Sequence, residues 1–221
     1  MESPVEFQTG EDLTFFGKVN ASISHELKNI LAIISETAGL LGDLTEKATR
    51  EGKIDLELVN TCSNDIVEEI QRGFATIKQM NRFAHSVDNA IESVDLIEIL
   101  KLMINLAGFL STAGKVRFDA EEQIDRMIRT CPFRLQNLIY QTLVFAFETV
   151  GPDGEIQISI QRETNGEAKF TFAGLGSKST RSFPADQTKK IAESIGADIH
   201  ASVDSKSSHI RVPPLGEKST R

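Results

Sequence analysis

Near the start of the chain, Ser24-His25-Glu26-Leu27-Lys28-Asn29 sets a nucleophile and two polar neighbours inside an apolar heptad. With Leu13, Asn20, Leu27, Ile34 and Leu41 at a, and Phe16, Ile23, Ile30, Thr37 and Leu44 at d, His25 falls at f, away from the seam. An imidazole held in solvent on a rigid helix can offer a free ring nitrogen, which is what phosphoryl transfer onto a side chain needs. The plainer alternative is a solvated surface histidine without a role, the reading adopted for His85, His200 and His209. Glu26 adjoins His25, and Asn29 lies at i+4 on the same side of the helix.

The elements that must position these residues follow from periodicity. No proline occurs between Pro4 and Pro132, so helices can run long. One is predicted over about residues 11–49, with a turn near Glu51-Gly52-Lys53 and a second helix returning to about Ala90. The second carries a stripe of Val59, Ile66, Ile70, Ile77, Met80, Ala84, Val87 and Ile91. Two such helices make an antiparallel hairpin whose broad apolar face exceeds what one partner helix covers. A second copy completing an intermolecular four-helix bundle is therefore expected, and with it a homodimer.

After about residue 93 the pattern changes, giving two expected domains, 1–92 and 93–221. Helices are predicted over Asp95 to Leu110, Pro132 to Val150 and Asp186 to Ile195, the last stopped by Gly196. Strands are predicted at Lys115 to Asp119, around Ile156, Ile158 and Ile160, around Phe170 and Phe172, and at Asp198 to Val203 and His209 to Val212. Gly151-Pro152-Asp153-Gly154 marks a turn and Asn165-Gly166 a hairpin. The class is α+β, a sheet covered by helices on one face following the helical hairpin, and the tail from Pro213 is expected to be mobile.

Bulk properties exclude several functions. With 221 residues, 40% of them hydrophobic, the chain can bury a core. Its net charge of −8, from 32 acidic against 24 basic residues, disfavours nucleic acid and anionic membrane as partners. Cys62 and Cys131 lack metal-ligand company, so no metal site is expected and the compartment reads as the reducing cytosol. No export signal and no membrane-length apolar run is present, which places the expected site of action in the cytoplasm. Gly174-Leu175-Gly176-Ser177-Lys178-Ser179-Thr180 lacks the spacing of a phosphate loop, and the phenylalanines 145, 147, 170 and 172 read as core in an acidic chain. Gly-x-Lys-Ser-Thr-Arg recurs at residues 176–181 and 216–221 without a physical explanation.

Residues 24–29 match the H-box of sensor histidine kinases, and the hairpin resembles the dimerisation and phosphoacceptor domain of that family. The resemblance implies that His25 is the phosphoacceptor, that Glu26 assists it as a base, and that Asn29 orients a water able to hydrolyse a partner's acyl phosphate. For Glu26 and Asn29, ordinary helix-surface polarity remains the competing reading. The second half looks like the family's ATP-binding domain, a degenerate α/β sandwich of the histidine-kinase type. Aligned on Ala146, the family's magnesium-binding asparagine is replaced by Phe145, and its adenine-recognising aspartate by Phe172, although Gly174 and Gly176 survive. Arg181-Ser182-Phe183-Pro184-Ala185 stands where a second glycine box is expected.

Without these groups, transfer from ATP loses its main electrostatic and positioning terms. The expectation is thus a dimeric histidine phosphotransfer protein of a two-component phosphorelay, similar to the dimeric histidine phosphotransferases. It would carry a phosphoryl group between receiver-domain aspartates through His25, without ATP and without a cofactor of its own, the receiver supplying magnesium. The alternatives are an autophosphorylating histidine kinase with a divergent ATP site and a noncatalytic pseudokinase scaffold or receiver phosphatase.

Overall fold

The computed structural model describes Val5 and residues 10–108, 115–119, 125–151, 153–176, 182–202 and 207–213. The chain divides into two compact units, residues 17–84 and residues 1–16 with 85–221.

Helix α1 (Gly10–Glu51) and helix α2 (Leu56–His85) form the hairpin. Gly52, at φ 70°, supplies the left-handed residue that ends α1, and its N–H donates to the Ala48 carbonyl at 2.8 Å. Asp55 caps α2, accepting from the Leu58 N–H at 3.0 Å and so satisfying one of the helix's orphan donors. The expected second helix reaches only His85, five residues short of Ala90.

Burial in the hairpin departs from the expected seam. Val19, Ser22, Ile23, Glu26 and Ile30 of α1 and Cys62, Thr76 and Phe83 of α2 are buried. The a residues Leu27, Ile34 and Leu41 are only half-buried, Leu13 is exposed, and of the expected α2 stripe Ile70 and Ile77 are exposed. A single hairpin covers one edge of each amphipathic stripe, because two helices in contact share a strip narrower than the stripes themselves.

The other unit is built on a five-stranded sheet. Its strands are β2 (Lys115–Asp119), β4 (Glu155–Arg162), β5 (Ala168–Ala173), β6 (Asp198–Ser202) and β7 (Ser207–Val212), in the order β2-β4-β5-β7-β6. Strand β2 runs parallel to β4 and the other neighbours are antiparallel. Period-two alternation places Ile156, Ile158, Ile160, Phe170, Phe172, Ile210 and Val212 on one buried face. Helix α4 (Pro132–Val150) lies against β4 on that face, α5 (Asp186–Ser194) against β6, and α3 (Leu96–Gly108) and α5 flank α4. This is the expected α+β layering, with helices on one face of the sheet.

Sequence periodicity missed a second, two-stranded sheet. Strand β1 (Glu92–Asp95) pairs antiparallel with β3 (Met127–Thr130), Val94 opposite Ile128. Both strands are four residues long, too short for a period-two signal to stand out, and Arg162 from β4 secures them by donating to the carbonyls of Asp125 and Met127. Asp95 closes β1 and caps α3 through the N–H groups of Ile97 and Glu98 at 2.8 and 3.2 Å. The segment Ser177–Thr180, most of each Gly-x-Lys-Ser-Thr-Arg copy and the tail after Pro213 lie outside the described residues.

Candidate functional site

His25 is exposed on α1, as its place in the heptad requires. Asn29, one turn on, leans back toward it because helical side chains point to the N-terminus, and its Nδ2 lies 3.3 Å from His25 Nδ1. Glu26 is only 8% exposed. Its carboxylate is bound by the Arg72 guanidinium of α2, which also donates from Nη1 to both carboxylate oxygens of Glu69 at 3.1 Å. The hydrogen bond to Glu26 raises the Arg72 pKa above its ordinary value, against the smaller opposing effect of burial.

Of the three predicted site residues, the structure therefore brings Asn29 to His25 and turns Glu26 the other way, onto the second helix. The reason is angular: successive helical residues are about 100° apart, so i+1 does not share a face with i, whereas i+4 does. Arg72 is the member sequence reasoning missed. It lies 46 residues from Glu26 along the chain, and no local spacing marks it.

In the α/β unit, the two positions read as replacements behave differently. Phe172 is fully buried on β5, between Ile158 of β4 and Ser208 of β7, as a core residue. Phe145 is only half-buried, not core as expected, and stacks on Phe183 with ring centroids 4.3 Å apart and planes 8° from parallel. Of the remaining polar side chains of α4, Gln141 donates to the Asn137 carboxamide oxygen at 3.3 Å.

The surviving glycines have backbone reasons to be there. A Cβ on Gly176 would sit 2.1 Å from the Thr149 carbonyl oxygen, and one on Gly174, whose φ is 87°, would sit 2.6 Å from that of Glu155. Neither aromatic ring offers a ligand to magnesium or an acceptor to an adenine amino group, so these two positions do not make the contacts that the resembled family makes there. Any nucleotide contact in this unit must come from other residues. No cluster of three or more metal-ligating side chains occurs among the described residues.

A separate cleft of about 210 Å³ is lined by Glu11 and Asp12 at the start of α1, Arg134 of α4, and Gln187, Lys190, Ile191 and Ser194 of α5. Its residues come from three distant segments. Both cysteines are free and buried, and burial pushes the Cys131 thiol pKa up, so it packs as an inert apolar group.

No family model matches the chain. The sensor histidine kinase ZraS of Klebsiella oxytoca is 26% identical over 169 residues, 75% of this chain and 34% of that protein. The chain is similar in sequence to a sensor histidine kinase. It spans about a third of the length of that relative. Among solved structures, the histidine kinase AdeS of Acinetobacter baumannii is similar with a TM-score of 0.48 at 11% identity, covering 87% of this chain and 98% of that one. The catalytic domain of histidine kinase ThkA gives 0.47 at 13%, covering 57% and 99%. ThkA solved in complex with the response regulator TrrA gives 0.45 at 16%, covering 93% and 64%. At these scores the structural likenesses carry no argument about activity.

The sequence relation corrects the expected function. A protein dedicated to histidine phosphotransfer between receivers is not what matches. The relative aligned with three-quarters of the chain is a sensor histidine kinase, which the kinase alternative accommodates better. Nor do the comparisons support the expectation that ATP plays no part. No described helix is long and apolar enough to cross a membrane.

Proposed function

We propose that the protein is a histidine-kinase core whose phosphorylated residue is His25 and whose nucleotide site has diverged. The observation that carries this reading is the exposed His25 in a matching H-box, with Asn29 on its ring, in a chain related over 169 residues to a sensor histidine kinase. The bundle is intermolecular in this reading. Ile33 and Leu40 of α1 and Val67, Ile70, Phe74 and Ile77 of α2 are left in solvent by one hairpin, and a second copy would cover them. A receiver domain is the proposed partner, docking beside His25, and two free buried thiols agree with a reducing, cytoplasmic setting.

Incubation with labelled ATP and magnesium tests the proposal. Acid-labile, base-stable phosphate should appear on the wild type and be absent from His25→Ala, whose fold and dimer should persist because an exposed side chain contributes little to stability. Label acquired equally by His25→Ala would sink it.

A second reading is favoured by the Phe145–Phe183 stack, which puts two rings where the resembled kinases have polar and glycine residues. It is a relative without kinase activity that dephosphorylates a receiver, the receiver supplying magnesium and Asn29 orienting the water. In that case ATP leaves no label, and a phosphorylated receiver loses its phosphate faster with the wild type than with Asn29→Ala.

A further inference from the structure

Helix α5 turns one face to the cleft of about 210 Å³: Gln187, Lys190, Ile191 and Ser194 fall at i, i+3, i+4 and i+7, while Thr188 and Ala192 are buried on another side. Glu11, in the first turn of α1, and Arg134, in the first turn of α4, line the same space together with the buried Asp12. All of these residues belong to one compact unit, residues 1–16 with 85–221. Charges of both signs converge there. Asp12 raises and Arg134 lowers the pKa of the Cys131 thiol, so the two opposite charges both act on the start of α4. Even so, among the described residues no ion pair joins Glu11, Arg134 or Lys190 to one another or to a neighbour, whereas Lys189 on the same helix is paired with Asp186.

A cation and an anion that line one cleft without meeting are both answered by a ligand that carries the two signs. The planar guanidinium of Arg134 suits a carboxylate, which it can hold through two parallel hydrogen bonds, and the Glu11 carboxylate accepts from an ammonium. Asp12, next to Glu11 in the chain and 4% exposed, adds negative potential at the ammonium end. The volume is below the ~300–1,000 Å³ of pockets that take drug-sized ligands, and it suits one molecule of amino-acid size. We propose that this cleft binds an acidic α-amino acid, with the α-carboxylate on Arg134, the ammonium on Glu11 and the side-chain carboxylate on Lys190. Ile191 supplies an apolar wall for the methylenes between the charged ends.

The test titrates the full ¹⁵N-labelled chain with L-glutamate and with three analogues that each lack one charge, and follows the amide signals of Gln187, Lys190 and Ser194 by NMR. Glutarate lacks the ammonium, γ-aminobutyrate the α-carboxylate, and L-glutamine the side-chain carboxylate. L-Glutamate should bind about ten-fold more tightly than each analogue, the worth of one charge-assisted hydrogen bond. Glu11→Gln should erase the preference over glutarate alone, and Arg134→Gln the preference over γ-aminobutyrate alone. Lys190→Gln, at an exposed position where substitution leaves the fold intact, should erase the preference over L-glutamine. No saturable shift with millimolar L-glutamate, equal binding of all four ligands, or preferences unchanged by these substitutions would overturn the proposal. Neither ATP nor phosphate enters the titration, so its outcome is independent of whether His25 is labelled.

Discussion

Removing the Arg72 guanidinium should destabilise the hairpin by about 2 kcal/mol, an amount set by the unequal exposure of the two partners. Arg72→Ala leaves the Glu26 carboxylate, whose side chain is 10% exposed, without its cation, while the Arg72 side chain is 46% exposed. A fully buried ion pair broken on one side loses about 3–5 kcal/mol, and an exposed pair about 0–1. This pair lies between: the carboxylate is desolvated, but water can enter where the guanidinium stood. A hydrogen bond to a charged group is worth about 1.5–3 kcal/mol, which gives the same middle value. Glu69, on the same helix as Arg72 at i,i+3, should matter less, about 0.3–0.5 kcal/mol.

The assay is urea unfolding followed by circular dichroism for wild type, Arg72→Ala, Glu26→Ala and the double variant. Protomer concentration must be fixed, because association of the hairpins would otherwise move the midpoint. The double variant should be more stable than the sum of the single losses by about 1.5 kcal/mol, since the second truncation removes the group the first left unpaired. A coupling below about 0.5 kcal/mol, or a loss at Glu69→Ala larger than at Glu26→Ala, would refute the view that Arg72 holds Glu26 against α2.

Ile70→Asp, on the face that one hairpin leaves in solvent, should halve the mass seen by light scattering while helix content persists; a wild type that is already monomeric at micromolar concentration contradicts the dimer. Phe183→Ala should lower the stability of the α/β unit by about 1–2 kcal/mol through loss of the Phe145 stack, with less-than-additive loss in the Phe145→Ala double variant by calorimetry, and full additivity counts against the stack. Burial first, then the charges of Lys169, Arg211 and His200, hold the His209 pKa below its ordinary value, and its ring meets the hydroxyls of Thr171 and Ser207. A histidine whose folded pKa is depressed contributes stability above its unfolded pKa and loses it as pH falls through the folded one. The urea midpoint should therefore drop as the pH is lowered below the ordinary histidine value of about 6.5, and the drop should be smaller in His209→Asn; parallel profiles for the two proteins would contradict this.

The exposure of His25 was legible because helical periodicity is local: the positions of Leu27, Ile30 and Ile34 are enough to aim it at solvent, and i+4 spacing is enough to put Asn29 beside it. Helix α4 was legible from Pro132 to Val150 because proline opens it, apolar residues fill it and Gly151 ends it. The strands around Ile158 and Phe170 declared themselves by alternation. Tertiary structure alone decided the rest. Glu26 was assigned to His25 by adjacency, but its burial and its bond to Arg72, 46 residues away in the chain, depend on how the two helices meet. The β1–β3 pair is visible only through hydrogen bonds between segments separated by α3 and β2, since four residues carry too little pattern. Phe145 and Phe172 look equivalent as apolar replacements in the sequence, yet one is sealed in the sheet and the other lies half-open against Phe183. Apolarity specifies that a side chain prefers to leave water, and only the arrangement of its neighbours specifies what it meets there.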